Sequence, residues 1–404
     1  MKKAISRTVF VLGLVSFLNE LSSQIVTPLI PLLLATTLAA GPIVIGLTDG
    51  VGDAAASLFR LWSGRRSDVL GQRRKVFVVF GYGLSSVARP LVGLALNWPI
   101  VLLLRSLDRI GKGVRGAPRD AMVADATPES LRGRAYGINR AFDYAGAVGG
   151  SLLAAAALLW ISNQIRMVIM LSAIPAAIAL SLLVLLVKEV PSTETTSIRN
   201  PAAPLRWGAL SSPTRRFFSI LVIFAFAQAS ESFILLRAHE LGMSNIRVLM
   251  LWALLCAVQA GVAWASGSLS DRFSKVTVVT VAWLAYGLGL LAVAAVSSLA
   301  SLSIAVVIYS LLSGMGEGAE KSLVSALATD ADRGTAFGWF TMIGGLGAIP
   351  AGFLFGFIWQ QASASVAFAA FGGVAILSAA LLRWIVPTHA AVTAAIGPDL
   401  RLKR

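Results

Sequence analysis

The sequence is poor in charged side chains. Only 13% of its 404 residues are Asp, Glu, Lys or Arg, whereas soluble globular proteins average about 25%. Hydrophobic residues make up 57%, and several apolar runs approach the roughly 20 residues that a helix needs to cross a bilayer. This balance excludes an ordinary soluble protein. It predicts an all-α integral membrane protein.

Cysteine and histidine are almost absent, which limits the kinds of site the chain can build. The single Cys256 excludes a disulfide within the chain. His239 and His389 are too few for a histidine-rich metal site. No His-Glu-x-x-His motif or Ser-His-Asp set is recognisable, and the GKG at 111–113 lacks the spacing of a phosphate-binding loop. We therefore expect no cofactor, no resident metal and no enzymatic activity.

The excess of basic residues belongs to the loops. The formal net charge is +15, but no basic patch interleaved with aromatic residues indicates nucleic-acid binding. Lys and Arg collect on one side of the predicted membrane segments, including the N-terminus, a central linker and the C-terminal tail. The short loops of the other side carry only Arg166, Arg237 and Arg247. Because basic loops stay in the cytoplasm, we expect a cell (inner) membrane protein with both termini cytoplasmic.

Breaks at charge clusters, Pro and Gly divide the chain into twelve apolar segments. A polar, Pro-rich stretch at 188–215 separates segments six and seven and has the composition of a linker. The predicted organisation is a six-helix unit at 1–187, this linker, a second unit at 216–390 and a cytoplasmic tail at 391–404. The predicted segments are 8–36, 43–63, 75–96, 99–124, 134–160, 166–187, 216–237, 247–268, 276–297, 301–327, 335–359 and 364–386.

Two short motifs occur once in each half of the chain. GRRSD at 64–68 recurs as GSLSD at 267–271, and RGRAYG at 132–137 recurs as RGTAFG at 333–338. The offsets are 203 and 201 residues, so the two pairs share nearly one spacing. This spacing predicts two pseudo-symmetric six-helix bundles. Bundles related in this way place a substrate site between them, near the bilayer midplane.

The loop after segment two, GRRSDVLGQRRK, resembles the signature loop of the major facilitator superfamily. The family pattern Gly-x-x-x-Asp-x-x-Gly-x-Arg-Arg falls on Gly64, Asp68, Gly71, Arg73 and Arg74. Val69 stands where the family usually has a basic residue. A degenerate second copy after segment eight retains Gly267, Asp271 and Arg272.

Further stretches support the resemblance. Arg105 matches the arginine of the family's fourth segment, and GAVGG at 146–150 resembles the glycine-rich part of the family's fifth segment. NELSSQIVTPLIPLLL and DRIGKGVRGAPRDA are most similar to a drug-efflux-like prokaryotic branch. The resemblance implies a monomeric secondary transporter that works by alternating access. It also implies a cytoplasmic gate, to which we assign Asp68, Arg73, Arg74 and Asp125, and Asp271 and Arg272 from the second copy.

Residues 105–125 place five cations and three carboxylates within a predicted membrane helix. Arg105, Arg109, Lys112 and Arg115 recur at a spacing of three or four residues, which predicts that they share one face. A cation at the bilayer centre costs at least about 2.5–3.5 kcal/mol. We therefore expect this face to line a water-filled cavity or to meet carboxylates.

The candidate partners of these cations are carboxylates on other segments. Glu20 on segment one is the leading candidate, either as a proton carrier or substrate ligand, or as a structural hydrogen-bond partner of Asn19. Asp53 and Asp143 are expected to neutralise cations of segment four. The candidate cavity set is Glu20, Asn19, Asp53, Arg105, Asp108, Arg109, Lys112, Asp143, Arg140, Glu231 and Glu317.

Four other charged residues are expected to have structural roles. Arg115, Arg119 and Asp120 are assigned to ion pairs at the cytoplasmic end of segment four. Arg89, which precedes a proline on segment three, is assigned to the outer membrane interface, where a long side chain can reach polar headgroups.

The leading functional hypothesis is proton-coupled export of a small organic molecule, with Glu20 and Asp143 exchanging protons. An alternative is transport of an organic or inorganic anion held by Arg105, Arg109 and Lys112. Export of a metal cation is a third possibility, and a membrane enzyme or a non-transporting sensor is a more distant one. The expected partners are the substrate, protons and the lipid bilayer.

Overall fold

Long α-helices make up the chain, as its apolar runs predict. The computed structural model describes residues 6–69, 73–161, 163–187, 206–269, 274–314, 316–329 and 333–386. Within these ranges twelve helices follow one another, which confirms the all-α membrane fold. They are α1 (Arg7–Thr37), α2 (Pro42–Val69), α3 (Arg74–Leu91), α4 (Trp98–Asp125), α5 (Arg132–Trp160), α6 (Ile165–Leu186), α7 (Ser212–Glu240), α8 (Asn245–Leu269), α9 (Lys275–Ala294), α10 (Leu299–Leu327), α11 (Arg333–Gln361) and α12 (Ala364–Ile385).

Eleven helices of the described chain are long and apolar enough to cross a membrane, and α4 is the exception. It carries the charged stretch, yet it runs unbroken for 28 residues, a length of about 42 Å. Asn97 caps its start, because the Asn97 side-chain oxygen accepts a hydrogen bond of 3.2 Å from the Ile100 N–H. Helix α4 is therefore long enough to span the bilayer, and its polar side chains need protein or water around them.

Several helices are interrupted partway along their length. Interruptions fall in α1 between Val26 and Leu29, in α6 at Ser172, in α7 between Ala227 and Ser232, and in α10 at Gly314. Irregular main chain at membrane depth is tolerated where it lines protein or a cavity. Helix α7 also begins earlier than expected, at Ser212, inside the stretch that composition assigns to the linker.

The internal duplication is visible in the helix positions. Helices α5 and α11 are both 29 residues long and begin at Arg132 and Arg333, which are 201 residues apart. Helices α2 and α8 begin at Pro42 and Asn245, which are 203 residues apart. These offsets match those of the repeated motifs. The helices therefore form the two six-helix halves that the repeats predict, α1–α6 and α7–α12.

A seam of small residues joins the two halves along α2 and α11. Gly46 faces Gly352 so closely that a Cβ on either residue would overlap the main-chain carbonyl of the other. Gly356 packs in the same way on Ile43, and Gly50 packs on Ala348. Small residues allow helix main chains to approach closely within a membrane. We call this contact the glycine seam.

The seam closes one side of the molecule. We call the side on which α6 ends and α7 begins the linker side. The glycine seam lies at the start of α2, and therefore away from the linker side. Within the described residues, the other extensive contacts between the halves join α5 to α8, and Ser232–Glu240 to α1 and α2. The halves therefore meet mainly on the far side, and the space between them extends toward the linker side.

Candidate functional site

A cavity of about 720 Å³ lies between the two halves. Pockets for small organic ligands usually measure about 300–1,000 Å³. Its first wall comes from α1, α2 and α4, and its second wall comes from α7 to α11. The cavity therefore occupies the place between the halves where the duplication predicts a substrate site.

Three cations of α4 line this cavity, as the sequence predicts. Arg105 is almost fully buried, with one guanidinium nitrogen 3.8 Å from an Asp49 carboxylate oxygen and another 3.5 Å from Asp108. Arg109 lies further along the wall, with its Nε 3.7 Å from an Asp53 carboxylate oxygen. The expectation that Asp53 neutralises a cation of α4 is thus confirmed. Lys112 is the third of these cations.

Lys112 differs from the two arginines because its charge has no close partner. Its side chain is exposed to the cavity. No carboxylate oxygen in the described part of the chain lies within ion-pair distance of its ammonium nitrogen. Among the cations around Glu20, Lys112 has the strongest electrostatic interaction with that carboxylate. Lys112 is thus attracted by Glu20 without a direct ion pair, and its exposed ammonium group can still contact an anionic group in the cavity.

Behind this wall lies a buried polar cluster that the sequence analysis interpreted incorrectly. Arg89 is 1% exposed and does not reach the membrane interface. Its Nε donates to Asp108 at 2.7 Å, and its Nη1 donates to the carbonyl and side-chain oxygens of Asn19 at 3.1 and 3.0 Å and to Ser22 at 3.3 Å. Asp108 and Asn19, predicted in the cavity, instead hold Arg89 between α1, α3 and α4. Burial is possible because each polar group finds a partner.

The charges of α4 consequently do not share one face. Arg115 points toward α3, where its guanidinium carbon lies 4.7 Å from the centre of the Tyr82 ring and its Nη1 donates to Ser85 at 2.9 Å. The assignment of Arg115 to an ion pair at the helix end is wrong, because Tyr82 and Ser85 stabilise this cation in a buried position. Helix α4 packs extensively against both α2 and α3, so its polar residues divide between the cavity and these neighbours.

Arg119 and Asp120 do form ion pairs at the end of α4 that faces the linker side. Arg119 lies 3.2 Å from Asp120 and 3.6 Å from Asp143, and it also donates to Ser16 at 2.6 Å. Asp120 additionally pairs with Arg60 at 3.3 Å. These contacts confirm the ion-pair assignment for both residues. They also confirm that Asp143 neutralises a cation of α4.

Several other candidates lie outside the cavity wall. Asp143 accepts a hydrogen bond from Ser16 in addition to its pairing with Arg119. Arg140, which precedes Asp143 by three residues on α5, is exposed. Neither residue is among the described residues that line the cavity. Asp143 is thus bound into the structure of the first half and does not face the site.

Glu20 lies beside the cavity, close to the contact between the halves. Its Oε1 accepts a hydrogen bond of 3.0 Å from Gln24, and the Gln24 Oε1 accepts one of 2.9 Å from the Trp252 indole on α8. The expected bond between Glu20 and Asn19 is wrong, because Asn19 instead accepts from Arg89. Glu20 therefore interacts electrostatically with Lys112. Hydrogen bonds through Gln24 link it to Trp252 of the second half.

The interruption of α7 contributes polar groups to the second wall. Ser230 donates to Asp49 of α2 at 2.6 Å, which links the two halves across the cavity. The N–H of Ala229, freed by the interruption, donates to the Tyr286 hydroxyl at 2.9 Å. Glu231 accepts a hydrogen bond of 2.7 Å from the Gln259 amide. No Lys, Arg or His of the described chain lies within ion-pair distance of Glu231.

Aromatic side chains form much of the second wall, and the sequence analysis missed them. Trp283 stacks on Phe224 with ring centres 4.1 Å apart and planes 8° from parallel, and its indole N–H donates to Glu320 at 2.7 Å. Trp252, Tyr286 and Tyr309 line the same wall. Trp283 and Tyr286 are three residues apart on α9, and this spacing was the available signal. This spacing is hard to recognise because most other residues of a membrane helix are also apolar.

The predicted gate is only partly described. Arg74 and Asp125 form an ion pair between α3 and α4, Gly64 packs close to Ala117, and Arg73 is exposed. The Arg74–Asp125 pair joins two helices of the same half. The following candidates lie outside the described residues or side chains: Asp68, Gly71, Asp271, Arg272 and, from the cavity set, Glu317.

Comparisons with known proteins agree with this geometry. The family model of the Major Facilitator Superfamily matches residues 12–349 and 265–399. An uncharacterised MFS-type transporter of Methanocaldococcus jannaschii is 33% identical over 391 residues, which is 95% of this chain and 96% of the relative.

Solved structures share the fold at low sequence identity. The nucleoside transporter NupG is 13% identical with a TM-score of 0.79, covering 94% of this chain and 99% of its own. A bacterial homologue of the human lysosomal transporter Spinster, in an inward-facing and occupied conformation, is 18% identical with a TM-score of 0.76, covering 95% and 97%. The match to the family model over most of the length, together with the two halves around a central cavity, establishes that this chain is a multi-pass membrane protein belonging to the Major Facilitator Superfamily of transporters.

Proposed function

We propose that this chain is a secondary transporter that exports a small organic molecule in exchange for protons, by alternating access. The proposal rests chiefly on Glu231, a carboxylate on the cavity wall that no cation of the described chain neutralises. A carboxylate in this situation can bind either a proton or a cationic group of a substrate. Competition between the two for one carboxylate couples export to proton entry.

The sidedness follows from the distribution of charge. The basic loops support a cytoplasmic linker side, and with that orientation the cavity between the halves extends toward the cytoplasm. There, a substrate displaces the proton from Glu231. Once the halves have rocked about the site, the more acidic exterior returns a proton to Glu231 and releases the substrate. Opening to the exterior requires the glycine seam to part.

The geometry favours Glu231 over the carboxylates that the sequence analysis preferred. Asp143 is held by Arg119 and Ser16, so a proton on Asp143 would leave the Arg119 charge with one partner fewer. Glu20 interacts most strongly with Lys112 among its neighbouring cations. We assign Glu20 the role of positioning Lys112, and Glu231 the role of exchanging the proton.

The test is solute-driven proton movement in proteoliposomes. Purified protein is reconstituted with a pH-sensitive dye trapped inside, and a library of small amines, zwitterions and anions is added. We expect at least one amine-bearing solute to move protons in the opposite direction. Glu231→Gln should reduce this movement at least about tenfold, which corresponds to the loss of one charge-assisted contact.

Matched variants make the result specific. Glu20→Gln should retain coupling while weakening solute binding, and Glu129→Gln, an exposed carboxylate of the loop before α5, should leave transport unchanged. Undiminished proton movement in Glu231→Gln would remove this residue from the mechanism. Solute counterflow without any proton movement in the wild type would contradict proton coupling and leave transport itself standing.

A second candidate function is transport of an organic anion, which the unpaired Lys112 favours. In that case the substrate would bind through Lys112 and Arg109 alone. Glu231→Gln would then leave transport intact, and Lys112→Gln would abolish it. The same proteoliposomes therefore distinguish the two candidates.

A further inference from the structure

We propose that the substrates of this cavity are small zwitterions, in which an anionic group and an ammonium group flank a flat ring. This inference rests on the proposed function, because it concerns the same cavity. It follows from the positions of Lys112 and Glu231, whose charges have no close partner of opposite sign within the described chain and which lie on opposite walls. A single solute with both charges complements both walls.

The anionic group would bind on the wall of α4. Arg105 already has two carboxylate neighbours, Asp49 and Asp108. Arg109 has one carboxylate at 3.7 Å, and its Nε has no hydrogen-bond partner among the described residues. Lys112 has no close carboxylate, as described above. A carboxylate or similar anion would gain charge-assisted hydrogen bonds from Lys112 and Arg109. Arg105 would remain paired with Asp49 and Asp108 and would have a structural role.

The ammonium group would bind on the wall of α7. Glu231 accepts one neutral hydrogen bond, from Gln259 at 2.7 Å. A carboxylate has about four acceptor positions, so Glu231 retains capacity for a charged donor. Its position at the interruption of α7 places it beside Ser230, whose hydroxyl contacts Asp49 of the opposite wall. An ammonium group here would bind where the two halves already touch.

The ring would lie between the two charged ends. Trp252, Tyr286 and Tyr309 line the same wall of the cavity as Glu231, as do Trp283 and Phe224, which stack on each other. Flat aromatic walls favour a flat solute through stacking and attract ammonium groups through their faces. The volume of about 720 Å³ accommodates a molecule of one or two rings.

Solutes with a single charge fit this arrangement less well. An anion without an amine would leave Glu231 without a charged partner, and an amine without an acid would leave Lys112 with only the longer-range attraction of Glu20. A charge left unpaired when water is displaced is costly, which discriminates against the wrong solute. Because the two charges belong to different halves, a zwitterion also binds both halves together. The preference for a zwitterion over a singly charged solute therefore requires both Lys112 and Glu231.

The test uses one ring system in four charge forms. The probes are L-tryptophan (zwitterion), N-acetyl-L-tryptophan (anion), tryptamine (cation) and N-acetyl-L-tryptophanamide (neutral). Binding to the full-length protein in detergent is measured as the rise in unfolding temperature, detected when a fluorogenic maleimide reacts with the single buried Cys256. We expect the zwitterion to bind about tenfold more tightly than the anion or the cation.

Variants assign each charge to its wall. Lys112→Gln should bind the zwitterion no better than tryptamine, and Lys112→Arg should restore the preference. Glu231→Gln should bind the zwitterion no better than N-acetyl-L-tryptophan. Arg247→Gln, which removes an exposed cation at the start of α8, should bind all four probes like the wild type.

Three results would overturn the inference. They are equal binding of the anion and the zwitterion, equal binding of the cation and the zwitterion, and no binding of any form at about 1 mM, a threshold near 4 kcal/mol of binding free energy. The measurement uses no membrane and no gradient. A zwitterion preference without proton movement in proteoliposomes would therefore refute proton coupling and leave the substrate class standing. Proton movement without a zwitterion preference would refute the substrate class and leave proton coupling standing.

Discussion

Helices α4 and α10 occupy equivalent places in the two halves, yet they are built differently. They begin at Trp98 and Leu299, 201 residues apart. Helix α4 is continuous for 28 residues and carries charges along its length. Helix α10 is interrupted at Gly314, and the helices around it carry stacked aromatic rings. The duplicated fold thus pairs a charged, continuous helix with an interrupted one.

The difference separates two tasks. In the first half, Arg89 and Asp108 tie α4 to α1 and α3, so the cavity cations are held on a rigid frame. Among the described residues, the first half has one interruption beside the cavity, in α1 at Thr27, whereas the second half has two, in α7 and α10, which leave short helical pieces there. Pieces of this kind can tilt separately, because a few residues between them absorb the change in backbone angles. We infer that the first half positions the charges and that the second half adjusts around the substrate.

Breaking the frame of the first half should have the largest effect. Asp108→Asn leaves Arg89 and Arg105 buried without their shared carboxylate, and we expect a loss of about 3–5 kcal/mol in unfolding free energy. Thermal unfolding monitored by maleimide labelling of Cys256, which is 8% exposed, measures it. Asp120→Asn, which removes a more exposed ion-pair partner, should cost at most about 1 kcal/mol. Equal losses would contradict the idea of a rigid frame.

A substitution in the aromatic stack should have an intermediate effect. Trp283→Phe retains the stacking on Phe224 but removes the hydrogen bond of 2.7 Å to Glu320. We expect a loss of about 1–3 kcal/mol, since a buried acceptor loses its donor. The matched control is Trp339→Phe, because the Trp339 indole nitrogen has no hydrogen-bond partner among the described residues. The same unfolding assay applies, and a similar loss in both variants would show that ring size alone determines the cost.

Stiffening the interruption of α10 should have the smallest effect on stability. Apart from its chain neighbours, no described residue has an atom within 4 Å of where a Cβ on Gly316 would be, so Gly316→Ala fits without a clash against the described chain. Alanine favours helix by about 1 kcal/mol, and we expect slightly higher stability together with slower turnover in solute counterflow. Gly137→Ala, in the uninterrupted α5 and equally free of neighbours, should raise stability without slowing turnover. Equal turnover in the two variants would argue against a hinge in α10.

The sequence predicts the membrane fold well, because its signals are local or repeated. Apolar length predicts the spanning helices, and the doubled motifs predict two halves. Arg109, Lys112 and Asp53 are placed correctly since helical spacing and the cost of a buried charge leave few alternatives. The α7 interruption around Glu231 is not predicted, because the polar groups that stabilise it, such as the Tyr286 hydroxyl, lie more than fifty residues away in the chain.

Arg89 shows why the remaining errors arise. From the sequence alone, an arginine near the end of a membrane helix is expected to reach the interface. In the fold it is buried, because Asp108, Asn19 and Ser22 from two other helices surround it. Helical periodicity describes one helix at a time. Which of several charged faces is covered by protein and which faces water depends on how neighbouring helices pack.

The glycine seam has a consequence for the kinetics of opening. Where Gly46 meets Gly352, main chain rests on main chain, so at this point neither residue has a side chain that must change rotamer before the helices separate. Many weak, short-range contacts of this kind vanish together once the two helices move apart by a fraction of an ångström. Such a barrier tends to be either shut or fully parted. A half-open state that would let ions leak and dissipate the membrane potential should therefore be short-lived.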